Sequence, residues 1–254
     1  MIHLKKVDIC KYSQHLQRDM SIRIYGSDNG GGLPILVFPT QDAMCDNFEN
    51  FGMIDTLNEV IESGQIQLFC VDTVDVETWS NVWGDKTWRA KRQESYYNYI
   101  IEEVLPFIRE INSSGRLPVA SGCSLGGLHA AIVFFRRPEL FSGMLSLSGV
   151  YDAKFFFNGW LDGTLYDNSP IDFLSNMWDN HPYIVIYNEK PIILCVGQGQ
   201  WEDEGRRTTA IMNDIFKAKG IKGWTDFWGY DVDHDWYWWK KQILYFLPHL
   251  LKEG

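Results

Sequence analysis

The sequence predicts an α/β fold in which a mainly parallel central sheet is flanked by helices on both faces. Short apolar segments recur along the chain, and most are continuous rather than alternating, which is typical of strands buried on both faces of a parallel sheet. Segments with helical spacing separate them. The length of 254 residues is usual for one α/β domain. We therefore expect a single domain over residues 1–254.

The predicted elements follow one another in regular order. The predicted strands are residues 22–25, 34–38, 66–71, 117–121, 144–147, 192–196 and about 224–228. The predicted helices are residues 96–111, 128–135, 208–217 and 239–247, and Pro248 should end the last of them. Three glycines after Asp28 and Asn29 predict a turn, because a strand and no Gly-Lys-Ser/Thr motif follows them. Residues 151–190 are the least regular and predict a cap-like insertion over one end of the sheet.

Composition and charge exclude several classes of protein. Hydrophobic residues make up 45% and charged residues 22% of the chain, which is globular rather than disordered composition. A net charge of −10 disfavours nucleic acid and anionic membrane surfaces as partners. With no membrane-length apolar run and no secretory signal at the start, we expect a soluble, cytoplasmic protein. Five scattered cysteines without a Cys-x-x-Cys pair are expected to be reduced thiols.

The strongest motif is GCSLGG at residues 122–127, which matches Gly-x-Ser-x-Gly between a predicted strand and an apolar predicted helix. Such a turn holds Ser124 in a strained backbone conformation, and flanking glycines remove the Cβ atoms that would collide with strand and helix. The hydroxyl would project beyond the carboxyl end of the sheet, where the helix start favours developing negative charge. We predict that Ser124 is a nucleophile and that Cys123 packs in the core.

A serine nucleophile needs a base, and the chain has six histidines. His181 precedes the strand that should carry the acid, so its place in the chain order is wrong. His234 lies in a polar loop between the last predicted strand and the last predicted helix, which is the loop that carries the base in proteins with a Gly-x-Ser-x-Gly nucleophile. The sequence therefore favours His234. The remaining histidines are His3, His15, His129 and His249.

The third member should be a carboxylate in the loop that follows the strand at 192–196. That loop contains three adjacent acids, Glu202, Asp203 and Glu204. Glu202 is the first choice, because a buried acid can orient an imidazole in a low-dielectric site. The other two stand next to two arginines and suit a solvated helix start. Spacing alone leaves all three open.

An oxyanion hole needs two backbone donors. The first is expected from Leu125, the residue after the nucleophile, and the second from residues 38–42 after an earlier strand. Pro39 has no N–H, so Thr40 is preferred over Gln41. The sequence has no metal-binding motif with usable ligand spacing, and neither a metal nor a cofactor is expected.

With these motifs in place, the chain resembles the esterase branch of the α/β-hydrolases, which includes esterase D, feruloyl esterases and mycolyltransferases. The resemblance spans nearly the whole chain and is most specific at GCSLGG (122–127), LSGVYD (147–152) and HDW (234–236). It implies the same nucleophile, base, acid and oxyanion donors. Two departures are Pro39, where relatives often have glycine, and an acid loop that is not the common Gly-x-x-Asp.

The expected function is hydrolysis of a small-molecule carboxylic ester through an acyl-enzyme on a Ser-His-acid triad. An acyltransferase on the same fold is one alternative, because an alcohol in place of water would change only the product. A binding protein that retains a catalytically dead hydrolase fold is another.

Overall fold

In this computed structural model, residues 5–27 and 30–252 are described, and eight strands in them form one sheet. The strands are β1 (Lys5–Ser13), β2 (Arg18–Gly26), β3 (Leu33–Phe38), β4 (Ile66–Val71), β5 (Val119–Cys123), β6 (Gly143–Leu147), β7 (Ile192–Val196) and β8 (Trp224–Phe227). Their order across the sheet is β1-β2-β4-β3-β5-β6-β7-β8. Strands β3 to β8 run parallel, whereas β1 pairs with β2 and β2 with β4 in antiparallel orientation. The predicted mainly parallel sheet is confirmed.

From β3 onward, helices connect successive strands. Within the described ranges, they are α1 (Asn47–Asn50), α2 (Met53–Glu62), α3 (Lys86–Tyr99), α4 (Leu105–Ile111), α5 (Leu125–Arg136), α6 (Ala153–Phe156), α7 (Gly163–Tyr166), α8 (Pro170–Ser175), α9 (Pro182–Asn188), α10 (Asp203–Lys219) and α11 (Trp236–Leu251). A π-helical turn, Ile100–Val104, joins α3 to α4. It lies just before Pro106, whose missing N–H cannot continue the helical ladder.

Alternate residues of the central strands point to opposite faces of the sheet. In β3, Ile35 and Val37 pack with the buried sides of α2 and α11. Leu36 and Phe38 pack with α3, α5 and α10 on the other face. Because both faces are covered, every residue of β3 to β7 is buried. The prediction of helices on both faces is confirmed.

Some predicted boundaries differ from the structure. Strand β1 was not predicted, because only Val7 and Ile9 alternate with charged residues on this mostly exposed edge strand. Strand β5 begins at Val119 since Pro118 has no N–H to pair. The expectation that Pro248 ends the last helix is wrong: α11 continues to Leu251. Burial of Leu250 in the core stabilises this last turn.

Residues 151–190, predicted as an irregular insertion, contain the short helices α6 to α9. They lie along helix α5. Phe156 packs on Trp79 near the start of that helix, with ring centroids 5.3 Å apart. Near its end, the Tyr187 hydroxyl donates to the carbonyl of Phe135 at 2.5 Å. The segment therefore packs along the face of α5.

Three further expectations concern the rest of the chain. Of the predicted turn, Asp28 and Asn29 lie outside the described residues, as does His3, whereas the three glycines are described between β2 and β3, where the N–H of Gly30 donates to the carbonyl of Ser27 at 3.1 Å. All five cysteines are free thiols, as expected. Within residues 5–27 and 30–252, no helix has the length and apolar character needed to cross a membrane.

Candidate active site

Ser124 stands alone between the end of β5 and the start of α5. Its φ of 56° and ψ of −126° are strained for a residue with a side chain, and its N–H donates to the carbonyl of Leu147 on β6 at 2.8 Å. A Cβ on Gly122 would lie 2.4 Å from the backbone of Gly126, and a Cβ on Gly126 would lie 2.4 Å from the carbonyl oxygen of Phe38. The bend therefore requires glycine at both positions.

The loops after β7 and β8 are bound to each other through their backbones. The N–H of Gly199 donates to the carbonyl of Val232 at 2.8 Å, and the N–H of His234 donates to the carbonyl of Gln200 at 3.0 Å. The N–H of Gln200 also donates to the Asp233 carboxylate at 2.6 Å. These bonds hold the acid-bearing loop and the histidine-bearing loop at the carboxyl edge of the sheet, beside Ser124.

A continuous chain of hydrogen bonds joins three predicted site residues. The distance from Ser124 Oγ to His234 Nε2 is 2.9 Å, and that from His234 Nδ1 to Glu202 Oε2 is 3.0 Å. Because a carboxylate only accepts, Nδ1 carries the imidazole proton and Nε2 is free to accept the serine proton. Glu202 is only 1% exposed. A hydroxyl, an imidazole and a buried carboxylate in this order can activate the hydroxyl as a nucleophile.

The competing acids of the same loop point elsewhere. The side chain of Asp203 is 92% exposed and pairs with Arg206 at 3.1 Å. Glu204 pairs with Arg207 at 2.5 Å. Both lie in the first turn of α10, where negative charge favours a helix start. Of the three, only Glu202 contacts the imidazole.

Two other histidines that the sequence weighed are engaged away from Ser124. His129 is buried on α5, where its Nε2 lies 2.8 Å from Oδ1 of the buried Asp75. His181 is the N-cap residue that precedes helix α9 and accepts the N–H of Tyr183 at Nδ1. Neither contacts the serine.

The second oxygen of Glu202 has partners that the sequence did not reveal. Its Oε1 accepts the hydroxyl of Ser148 at 2.5 Å and the N–H of Gly197 at 3.3 Å. Ser148 in turn accepts the indole N–H of Trp239 at 3.0 Å. The only signal for Ser148 was its place in LSGVYD, and Trp239 was one of several clustered tryptophans.

The two predicted oxyanion donors differ in their surroundings. Leu125 is the first residue of α5, so its N–H has no acceptor one turn earlier in that helix. The N–H of Thr40, the preferred second donor, is bonded to Oδ1 of Asn47 at 3.0 Å. Gln41 lines the cavity at Ser124, and its N–H makes no hydrogen bond within the described part of the chain. The geometry thus argues against Thr40 and favours Gln41.

A cavity of about 150 Å³ opens at the reacting groups. Its walls are mostly apolar and include Val150, Phe155 and Phe156, while Trp201 at its edge is 78% exposed. A larger cavity of about 400 Å³ lies among α7 to α9 at the far end of α5 and contains none of the groups joined to Ser124. The smaller cavity is therefore the substrate site that the chemistry indicates.

The neighbouring thiol and the acidic residues near the site supply no rival chemistry. Burial raises the pKa of the Cys123 thiol well above its ordinary range, so the thiol stays protonated and unreactive. Among the described residues, no group of three or more His, Cys, Asp or Glu side chains could hold a metal ion.

Comparison with known proteins places the chain among esterases. A sequence model of the family described as "Putative esterase" matches residues 13–250. A search of curated proteins finds no match. The structure is similar to three solved structures of low sequence identity, which establish a shared fold.

The first is a ferulic acid esterase, at 14% identity and a TM-score of 0.77, with 99% of this chain and 100% of that chain covered. The second is an S-formylglutathione hydrolase from Agrobacterium tumefaciens, at 14% identity and a TM-score of 0.76, with 100% and 96% covered. The third is FphF, a fluorophosphonate-binding serine hydrolase from Staphylococcus aureus, at 15% identity and a TM-score of 0.72, with 98% and 99% covered.

Because the family model spans nearly all of the sequence, the chain belongs to this esterase family, an α/β-hydrolase-type fold. The resemblance drawn from the motifs is confirmed, and the protein is an esterase.

Proposed function

We propose that the protein hydrolyses small-molecule carboxylic esters through an acyl-enzyme, with Ser124 as nucleophile, His234 as general base and Glu202 as the acid that orients the base. The observation that carries this proposal is the unbroken path of hydrogen bonds from the Ser124 hydroxyl through the imidazole to the buried carboxylate. Family membership supports ester hydrolysis independently of that geometry.

The reaction has two halves. In the first, Ser124 Oγ attacks the ester carbonyl while His234 Nε2 takes the hydroxyl proton, and the imidazolium then donates that proton to the departing alkoxide. In the second, His234 removes a proton from water as the water attacks the acyl-enzyme, and the imidazolium then returns that proton to Ser124 Oγ as the carboxylic acid leaves. Glu202 stays ionised throughout and stabilises the imidazolium through Nδ1–H.

The backbone amides of Leu125 and Gln41 are the proposed oxyanion donors. Both residues line the cavity at Ser124, and neither amide is committed to a partner elsewhere, unlike the amide of Thr40. Two fixed donors aimed at the developing oxyanion supply a large share of the rate in sites of this kind. No metal or cofactor is required for any step.

The size and walls of the cavity favour a short or flat acyl group. A volume of about 150 Å³ leaves little room for an extended chain, and Phe155 and Phe156 in its wall offer aromatic surface to a flat group. The names of two structural neighbours, an esterase of ferulic acid and a hydrolase of S-formylglutathione, support esters and thioesters as the classes to assay first.

The test is hydrolysis of p-nitrophenyl acetate by the purified wild-type protein and by Ser124→Ala. We expect turnover by the wild type and loss of at least about 10³-fold in kcat for the variant, with Ser95→Ala on α3 as a matched serine control. A product analysis with added alcohol separates a hydrolase from an acyltransferase. Activity of Ser124→Ala equal to that of Ser95→Ala would overturn the proposal.

A further inference from the structure

Residues at the carboxyl ends of three neighbouring strands belong to the hydrogen-bonded chain that includes the Glu202 carboxylate. Strand β5 supplies Ser124, β6 supplies Ser148 directly after its last residue, and the loop after β7 supplies Glu202. The N–H of Ser148 donates to the carbonyl of Cys195 on β7 at 2.7 Å, which fixes its backbone beside the acid loop. Ser148 is fully buried, so its hydroxyl must find partners within the protein.

The direction of each hydrogen bond at Ser148 follows from the chemistry of its partners. An indole N–H can only donate, and a carboxylate can only accept. The Ser148 hydroxyl therefore accepts from Trp239 Nε1 and donates to Glu202 Oε1, over distances of 3.0 Å and 2.5 Å. Its single proton is committed to the carboxylate oxygen that does not face the histidine.

The same tryptophan also touches the base. The rings of Trp239 and His234 meet edge to face with centroids 4.9 Å apart. Trp239 is 3% exposed and lies in the first turn of α11, which begins two residues after His234. Trp239 thus contacts His234 directly with its ring. Its indole N–H reaches the Glu202 carboxylate indirectly, through the Ser148 hydroxyl.

Ser148 has a strained backbone conformation. Its φ of 54° lies in the left-handed region, where glycine is the favoured residue and a Cβ is strained. Glycine stands next to it in the sequence, at position 149, yet the strained position carries a serine. A residue kept against local strain points to a role for its side chain.

We propose that Ser148, held by Trp239, is a positioning residue that fixes the Glu202 carboxylate in the orientation required by His234. A glutamate has one more rotatable bond than an aspartate, so its carboxylate needs a second anchor to keep Oε2 in line with Nδ1. This inference rests on the proposed function, because it assigns a role through the Ser124–His234–Glu202 chain.

The decisive variant is Ser148→Gly, which removes the hydroxyl and at the same time relieves the left-handed strain. With p-nitrophenyl acetate, we expect kcat to fall by about 10- to 100-fold and KM to change by less than about threefold, since a hydrogen bond to a charged group is lost from the catalytic chain and not from the substrate site. The Tm should change little, because relief of the left-handed strain offsets the loss of the hydroxyl as partner to the buried indole N–H and carboxylate.

Two further variants test the path through the indole. Trp239→Phe keeps an aromatic ring beside His234 and removes the N–H, and we expect a smaller fall in kcat of about three- to tenfold. In Ser148→Gly the indole N–H has no hydroxyl left to hold, so adding Trp239→Phe should cost less than about twofold more. Ser146→Ala is the matched control, because this buried serine of β6 bonds to Tyr151 and not to Glu202.

The outcomes separate this inference from the proposed function. A wild-type protein that does not hydrolyse the ester contradicts both. An active wild type with Ser148→Gly within twofold of its kcat, or with a loss that Ser146→Ala shares, overturns the positioning role and leaves the proposed function standing. Additive effects of the two variants would remove Trp239 from the path.

Discussion

Glu202→Gln is the substitution whose effect the structure defines most closely. The side-chain oxygen of glutamine must occupy the Oε1 position, because the Ser148 hydroxyl and the Gly197 N–H both donate there. The amide nitrogen then faces His234 Nδ1, where the carboxylate now accepts at 3.0 Å. Two N–H groups cannot share that contact, so the imidazole must move its proton to Nε2 and can no longer accept the proton of Ser124.

The expected loss is therefore large although the two side chains have the same shape. A wrong imidazole tautomer in a comparable triad lowers kcat by about 10⁴-fold, which corresponds to about 5.4 kcal/mol in the activation free energy. We would measure kcat for p-nitrophenyl acetate in the same buffer for both proteins, and record the Tm of each. Asp203→Asn, which alters a 92% exposed acid paired with Arg206, is the matched control and should stay within about threefold.

This reasoning fails if Glu202→Gln keeps more than about a tenth of the wild-type kcat. It fails equally if Asp203→Asn loses as much activity, because the orienting acid would then be the wrong residue of the loop.

Three other predictions concern the scaffold around the site. Gly126→Ala should lower the free energy of unfolding by about 1–3 kcal/mol, and with it the Tm and kcat, since the new Cβ would lie 2.4 Å from the Phe38 carbonyl oxygen. Unchanged thermal unfolding would contradict this prediction. His129→Ala should cost about 3–5 kcal/mol in urea unfolding because it leaves Asp75 buried and unpaired, and a cost below 1 kcal/mol would show that the pair is not formed. Ellman's reagent should titrate one thiol, Cys10, in the native protein and five in denaturant; rapid reaction of a second native thiol would disprove the burial of the other four.

Much of the fold could be predicted because hydrophobic pattern determines it. Strands β4 and β7 have the predicted bounds, since a mainly apolar run bounded by polar loops marks both ends of a buried strand. Strand β1 was not predicted because an exposed edge strand buries too few side chains to produce a clear hydrophobic pattern. The prediction that Pro248 ends the last helix was wrong because a proline in the last turn removes few backbone hydrogen bonds, and the packing of α11 in the core outweighs their loss.

The residues of the candidate site likewise include some that the sequence could predict and some that it could not. Ser124 and His234 are tied to strand ends by topology, so their positions follow from chain order. Glu202 could be separated from Asp203 only by burial, which three adjacent acids do not reveal in sequence. Ser148, Trp239 and the amide of Gln41 depend on contacts between distant segments. Thr40 was preferred because Pro39 has no N–H, and the bond from its amide to Asn47 has no sequence signature.

The central claim is that the oxygen of Ser124 is made nucleophilic by His234, and covalent capture tests it most directly. A fluorophosphonate probe should add one phosphonyl group to the intact wild-type protein, and peptide mapping by mass spectrometry should place it on Ser124. His234→Ala should label far more slowly, and Ser124→Ala should not label at all. An active wild-type enzyme that takes up no probe, or an adduct that persists in Ser124→Ala, would contradict the account.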